Sequence, residues 1–313
     1  MATLKELAMK EDLFTAGHCL CPGCTLPVTL KIALRSTEYP LVVSVSSGCL
    51  QVASSHFPAT AWRLNCIHTG IGNAAATLSG IRATYTSLKK QGKLPADKVI
   101  KFLVIGGDGA TYDSGLGAIS GAIERGDDFV YLCYDNQSYA CSGGQRSSAS
   151  PMGVSTGTTP VGRMLPGKLQ FRKDIVQILA GHKIPYAAQS APWIWQDLYR
   201  KMEKAFHIAG PAFLNVLSPC PGSWKIPTHR SIEISKLAAD TCVWPIYEID
   251  HGHQITINYK PAKKLPVREW FKAQQRFIHL LKAENKWIVE KIQEEVDKEW
   301  ELLLSSEENS RDN

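Results

Sequence analysis

"VIKFLVIGGDGATYDSG", residues 99–115, is a nearly continuous apolar run that stops on Gly-Gly-Asp-Gly. A run of that length bounded by glycines reads as a strand buried on both faces, the kind found in parallel sheets. Working outward, "GLGAISGAIERG" (115–126) has helical period and "FVYLCYDN" (129–136) is a second buried strand. Upstream stand a strand, "YPLVVSVSSG" (39–48), and a helix, "GNAAATLSGIRATYTSLKKQG" (72–92). Downstream come helical segments at 173–183 and 193–210 and the strand "PAFLNVLSPC" (211–220). Strands alternating with helices predict an α/β fold, a doubly wound parallel sheet whose ligands bind beyond the carboxyl ends of the strands. Residues 1–239 are expected to form this domain. From about 240 the chain turns rich in Trp, Tyr and charge, with a helical pattern over 266–304, so 240–313 is expected to be a mostly helical C-terminal extension packed on the domain or on a partner. Its last residues, "SSEENSRDN" (305–313), are expected to fray.

Gly-Asp-Gly at a strand end is by itself a common tight turn. Here the next strand also ends in oxygen-bearing side chains, Asp135 and Asn136, and Asn136 lies 28 positions after Asp108. One crossover helix brings the two strand ends side by side. A carboxylate, an amide oxygen and a backbone carbonyl can then form half an octahedron, which suits magnesium completed by phosphate and water oxygens. The pairing therefore predicts a bound diphosphate.

Composition sets the frame. The 313 residues are 44% apolar, enough for a large core, and the net charge of +6 is spread out rather than gathered into a nucleic-acid-binding stripe. No apolar run approaches the roughly 20 residues that cross a bilayer, so no membrane or nucleic-acid partner and a cytoplasmic location are expected. The nine cysteines favour metal binding over a disulfide framework. Cys21 and Cys24 form CPGC, a spacing shared by zinc, iron-sulfur and redox sites. Cys49 closes "SSGC" (46–49) and Cys220 lies in "SPCPGSW" (218–224), both at the ends of expected strands on the diphosphate edge. Four thiolates from three segments there suggest a [4Fe-4S] cluster, with a zinc tetrathiolate as the alternative. Cys19, Cys66, Cys133 and Cys242 read as bystanders.

The Gly-Asp-Gly and Asn136 pair resembles the thiamine diphosphate signature. The wider set, CPGC, "SSGC", "GGDGATYDSGL" (106–116), "CYDNQSY" (133–139), "SGGQRSSASP" (142–151), "SPCPGSW", "VWPIYEID" (243–250) and "PVREWFKAQQRFIHL" (266–280), resembles the β subunit of 2-oxoacid:ferredoxin oxidoreductases, in their pyruvate branch. That resemblance implies a fold of the thiamine diphosphate-binding type with a helical tail. It implies Asp108, Asn136 and the carbonyl of Ser138 as magnesium ligands, and Cys21, Cys24, Cys49 and Cys220 around one [4Fe-4S] cluster. Gly107, Gly109, Ala110, Gln137, Tyr139, Ala140, Cys141, Cys49 and Leu26 would lie along the thiamine diphosphate. It further implies an enzyme that oxidatively decarboxylates a small acid and passes single electrons to ferredoxin, working only with partner subunits of the α, γ and δ types. A more distant alternative is a thiamine carboligase subunit with structural zinc.

Three places depart from the pyruvate pattern. Its Asn-Thr-Gly is Cys141-Ser142-Gly143 here, its His-Gly-Arg is Ile71-Gly72-Asn73, and the glutamate two places after the CxxC pair is Leu26. Cys141, Ser142 and Asn73 are therefore the candidate substrate-pocket residues. An exchanged pocket favours an acid that needs no coenzyme A acceptor, oxalate, with pyruvate and coenzyme A as the alternative.

Overall fold

The computed structural model of the chain describes residues 3–311 with the exception of 164. Eight strands form one sheet: β1 (Leu41–Ser46), β2 (Asn65–Thr69), β3 (Lys101–Gly107), β4 (Val130–Asp135), β5 (Tyr186–Ser190), β6 (Ala212–Leu217), β7 (Ile246–Asp250) and β8 (Gln254–Tyr259). Their order is β2-β1-β3-β4-β6-β5-β7-β8. The first six are parallel and the last two antiparallel.

The central strands are buried on both faces, which is why their sequences do not alternate. Every residue of β4 and β6 is buried. Phe102, Val104, Tyr131 and Phe213 point into one apolar layer, beneath helices Ala74–Lys90 and Leu116–Glu124. Leu103, Ile105, Leu132 and Val216 point into the other, beneath helices Leu26–Leu34 and Trp195–His207. At about 25 cal/mol per Å² of apolar surface, these two layers stabilise the strand ends as a stiff platform.

The four strands legible in the sequence are β1, β3, β4 and β6. Strands β2, β5, β7 and β8 were not anticipated. The last two belong to the segment 240–313 and extend the sheet from β5, with Tyr186 opposite Asp250. The rest of that segment is mostly helical, ending in helix Lys286–Arg311. Residues 305–311, expected to fray, instead continue this helix. The reason is local: Glu307 is buried, accepts from the backbone N–H of Ile257 at 2.9 Å and pairs with Lys260 at 2.6 Å, both on or next to β8. Residues 312 and 313 lie outside the described residues.

Among the described residues no helix is long and apolar enough to cross a membrane.

Candidate thiamine diphosphate and cluster site

The chain leaves β1 to form β2 on one side and returns to form β3 on the other, so the connections diverge between β1 and β3. Such a switch point opens a crevice at the carboxyl ends of parallel strands. A cavity of about 230 Å³ lies there, with walls from the residues after β1, β3 and β4. Ser47, Gly48 and Cys49 form one side; Gly107, Asp108, Gly109 and Ala110 form the floor; Asn136, Ser138, Tyr139, Ala140, Cys141 and Ser142 close the other. Pairing of Gly107 with Tyr134 sets Asp108 beside Asp135 and Asn136.

Asp108 is fully buried and accepts a hydrogen bond from the Ser147 hydroxyl. Burial, then the neighbouring Asp135 carboxylate, pushes its carboxyl well above the usual range. Among the described residues no basic side chain pairs with it. A buried carboxylate of this kind is costly until a cation is placed against it. Asp135 is the contrasting neighbour. It accepts from Tyr112 at 2.6 Å and from the N–H of Gln137 at 3.0 Å and pairs with Arg172 at 3.3 Å, so it braces the strand end. Of the two carboxylates, only Asp108 is available to a divalent ion. The Asn136 amide oxygen accepts from the Ser138 N–H at 3.2 Å, which curls the 136–138 turn back on itself.

The glycines let two tyrosine side chains close against the backbone of the site. A Cβ on Gly109 would sit 2.2 Å from the Tyr139 ring, whose hydroxyl is held by Asp113 at 3.0 Å. One on Gly48 would sit 2.7 Å from the Tyr134 hydroxyl, a buried group with no hydrogen-bond partner among the described residues. A side chain at either position would displace a tyrosine that lines the cavity. Gly109→Ala is therefore expected to weaken thiamine diphosphate binding, measured calorimetrically with magnesium present, by about tenfold, or about 1.4 kcal/mol.

A second cavity, of about 600 Å³, adjoins the first. Cys19, Cys21, Cys49, Cys141 and Cys220 line it, and Cys49, Val52, Ala140 and Cys141 line both cavities. These four residues form the partition. Cys24 is tied to Cys21 by a 3.0 Å backbone bond and lies close enough to Cys220 and Cys21 for their charges to raise its thiol, after burial, to about 11. Among the described residues no three His, Cys, Asp or Glu gather tightly enough for a single metal ion. Of the four thiols the resemblance assigns to a cluster, Cys21, Cys49 and Cys220 line this cavity. Cys220 caps the short helix Pro221–Trp224, its sulfur accepting from the Ser223 N–H at 3.4 Å.

This geometry can be set beside known proteins. The family model of the thiamine pyrophosphate enzyme C-terminal TPP binding domain matches residues 46–216. Pyruvate synthase subunit PorB of Thermotoga maritima is 45% identical over 312 residues, covering 98% of this chain and 96% of its own. The chain belongs to the β subunits of 2-oxoacid:ferredoxin oxidoreductases. The corresponding subunit of Methanocaldococcus jannaschii is 42% identical over 94% of this β subunit and 97% of its own length. A solved 2-oxoglutarate:ferredoxin oxidoreductase from Magnetococcus marinus shares the fold at a TM-score of 0.54, with 20% identity over 71% of this chain and 79% of that one. The β subunit is thus part of a thiamine-dependent oxidoreductase and carries its thiamine diphosphate-binding domain.

Most residues singled out in the sequence meet at the two cavities. Three do not. Leu26 is buried in the apolar layer under helix Leu26–Leu34, Gln137 is buried facing Arg276, and Asn73 is an exposed residue preceding helix Ala74–Lys90. Ile71, the other member of the altered triplet, does line the first cavity. Cys19, read as a bystander, lines the second. The sequence reading missed Ser47, Val52 and Tyr134 as lining residues and Ser147 as the partner of Asp108. Ser147 lies inside the quoted "SGGQRSSASP", so its segment was noticed but not its role.

Proposed function

We propose that this β subunit holds thiamine diphosphate through magnesium bound by Asp108, Asn136 and the Ser138 carbonyl, holds one [4Fe-4S] cluster through Cys21, Cys24, Cys49 and Cys220, and serves the oxidative decarboxylation of pyruvate to acetyl-CoA with ferredoxin as electron acceptor. The observation that carries the pairing of cofactors is the shared partition: Cys49 and Cys141 face both cavities, so a group bound in one stands one side chain away from a group bound in the other. Pyruvate is favoured by near-full-length relatives that are pyruvate synthase subunits in both bacteria and archaea.

When bound, thiamine diphosphate supplies the carbanion that adds to the carbonyl of a 2-oxoacid and the ring that absorbs the electrons left by carbon dioxide. The chain's own residues then have separable tasks. Ser147 orients the Asp108 carboxylate toward the metal position. Tyr139, fixed by Asp113, closes the floor over Gly109. Val52 and Ala140 make part of the partition apolar. The first cavity is smaller than the roughly 300–1,000 Å³ of a pocket that encloses a drug-sized ligand. That size fits a half-site completed by a partner subunit of the α, γ or δ type.

Oxalate, favoured from the sequence, is the second reading, and one observation keeps it in play. Cys141, Ser142 and Ile71, the replacements for residues usual in the pyruvate branch, all line the first cavity. The neighbouring Cys49 thiol draws the Cys141 thiol down to about 6. Anaerobic reduction of a low-potential viologen by the complete complex separates the readings. Reduction that requires both pyruvate and coenzyme A is expected; fast reduction by oxalate alone would replace pyruvate with oxalate.

A further inference from the structure

Arg276 carries a charge that no carboxylate neutralises. It is 4% exposed, and among the described residues no Asp or Glu lies within ion-pair distance of it. Arg172, a half-buried arginine near the site, pairs with Asp135. The Arg276 guanidinium instead lies in an aromatic cage, 3.9 Å from the Trp224 ring centre and 4.9 Å from that of Phe277. Its hydrogen bonds go to neutral oxygens, Gln274 Oε1 at 2.9 Å and Gln137 Oε1 at 2.6 Å. Burial drags its pKa well down, and the acidic groups opposing this are Cys220, Asp135 and Asp108, residues of the two cofactor sites. A buried cation kept without a carboxylate needs negative charge from elsewhere.

Both of its contacts lead to those sites. Gln137 stands between Asn136 and Ser138 with φ of 62°, a conformation a non-glycine residue holds only under external constraint. Its carbonyl is pinned by the Ser150 hydroxyl at 2.6 Å and its side chain by Arg276. Trp224 donates to the Asn136 carbonyl at 2.7 Å and, through its backbone N–H, to the Cys220 carbonyl at 2.9 Å.

We propose that Arg276 is a positioning residue and fixed counter-cation shared by the two sites: through Gln137 it locks the 136–138 turn, and from behind Trp224 it raises the reduction potential of the cluster held in part by Cys220. The inference rests on the cluster assignment above. Reduction adds one negative charge to a cluster whose thiolates are already anionic, so a nearby fixed positive charge in a low-dielectric interior favours the reduced form.

The test is an EPR-monitored redox titration of the full β chain, purified and reconstituted with iron and sulfide under anaerobic conditions. Arg276→Gln is expected to shift the oxidised-to-reduced ratio about tenfold toward oxidised at a fixed ambient potential, which for one electron is about 59 mV. Arg276→Lys, which keeps the charge and loses the fork, is expected to stay near the wild-type midpoint while binding thiamine diphosphate more weakly. A wild-type midpoint in Arg276→Gln, or equal shifts in both variants, would overturn the proposal. Should Arg276→Gln not accumulate as folded protein, Gln137→Glu takes its place. Among the described residues the Gln137 amide nitrogen has no partner, so the new carboxylate can pair with Arg276, and an unchanged midpoint there would overturn the proposal equally. A wild-type chain that binds thiamine diphosphate but yields no cluster signal would instead refute the cluster assignment, and this inference with it.

Discussion

Asp108→Asn is expected to abolish thiamine diphosphate binding and turnover while leaving the cofactor-free protein at least as stable as wild type. The two halves of this expectation have one cause. Asp108 is a fully buried carboxylate whose pKa burial and Asp135 drive upward, and among the described residues no cation offsets it. In the cofactor-free fold it is a liability, because a desolvated charge without a partner costs free energy. Asparagine keeps an oxygen for the Ser147 hydroxyl and removes the charge, so the melting temperature without cofactor should hold or rise. With magnesium and thiamine diphosphate the order reverses. A ligand present at 100 times its Kd adds about 2.7 kcal/mol to wild type, a shift of about 5 °C in a chain of this size. The variant should show no shift. Thermal melts of both proteins with and without cofactor check this, and a cofactor-induced shift retained by Asp108→Asn would remove Asp108 from the metal site.

The parts legible in the sequence and the parts that were not divide along sequence distance and burial. β1, β3, β4 and β6 announce themselves because a strand buried on both faces must be apolar at nearly every position, as "VYLCYD" and "AFLNVL" are. β2 hides because, at the end of the sheet beyond β1, its "NCIHT" is only partly buried, and β5 because "YAAQS" fills a central position with small residues. β8 carries a readable alternation, Ile255 and Ile257 between polar residues, but it lies in a segment dominated by charge and aromatic content. The candidate site was legible where one strand end carries several of its residues, as with Gly107 to Ala110 and Asn136 to Ser138. It was opaque where a residue acts across the fold. Ser147 reaches Asp108 over 39 positions, and Arg276 reaches Gln137 over 139, and no local pattern encodes such pairings.

Cys220→Ser should separate the two cofactors cleanly. Cys220 lines the larger cavity and not the smaller one, unlike Cys49 and Cys141, which face both. Its structural duty is to cap helix Pro221–Trp224 through the Ser223 N–H, and serine is among the best residues for that duty, so the fold and the Trp224 contact to Asn136 should survive. What serine does poorly is replace a soft thiolate on iron. The expected protein binds thiamine diphosphate with wild-type affinity, loses the broad absorbance of an iron-sulfur cluster near 400 nm, and reduces viologen more than about 100-fold more slowly, since even changes behind a metal's ligands cost about 10–100-fold. If the same chain, titrated with zinc and iron, retained full cofactor binding and activity in the serine form, the four cysteines would be structural and the electron route would lie elsewhere. If the serine form lost thiamine binding along with its cluster, the partition at Cys49 and Cys141 would be coupling the two cavities mechanically as well as electronically.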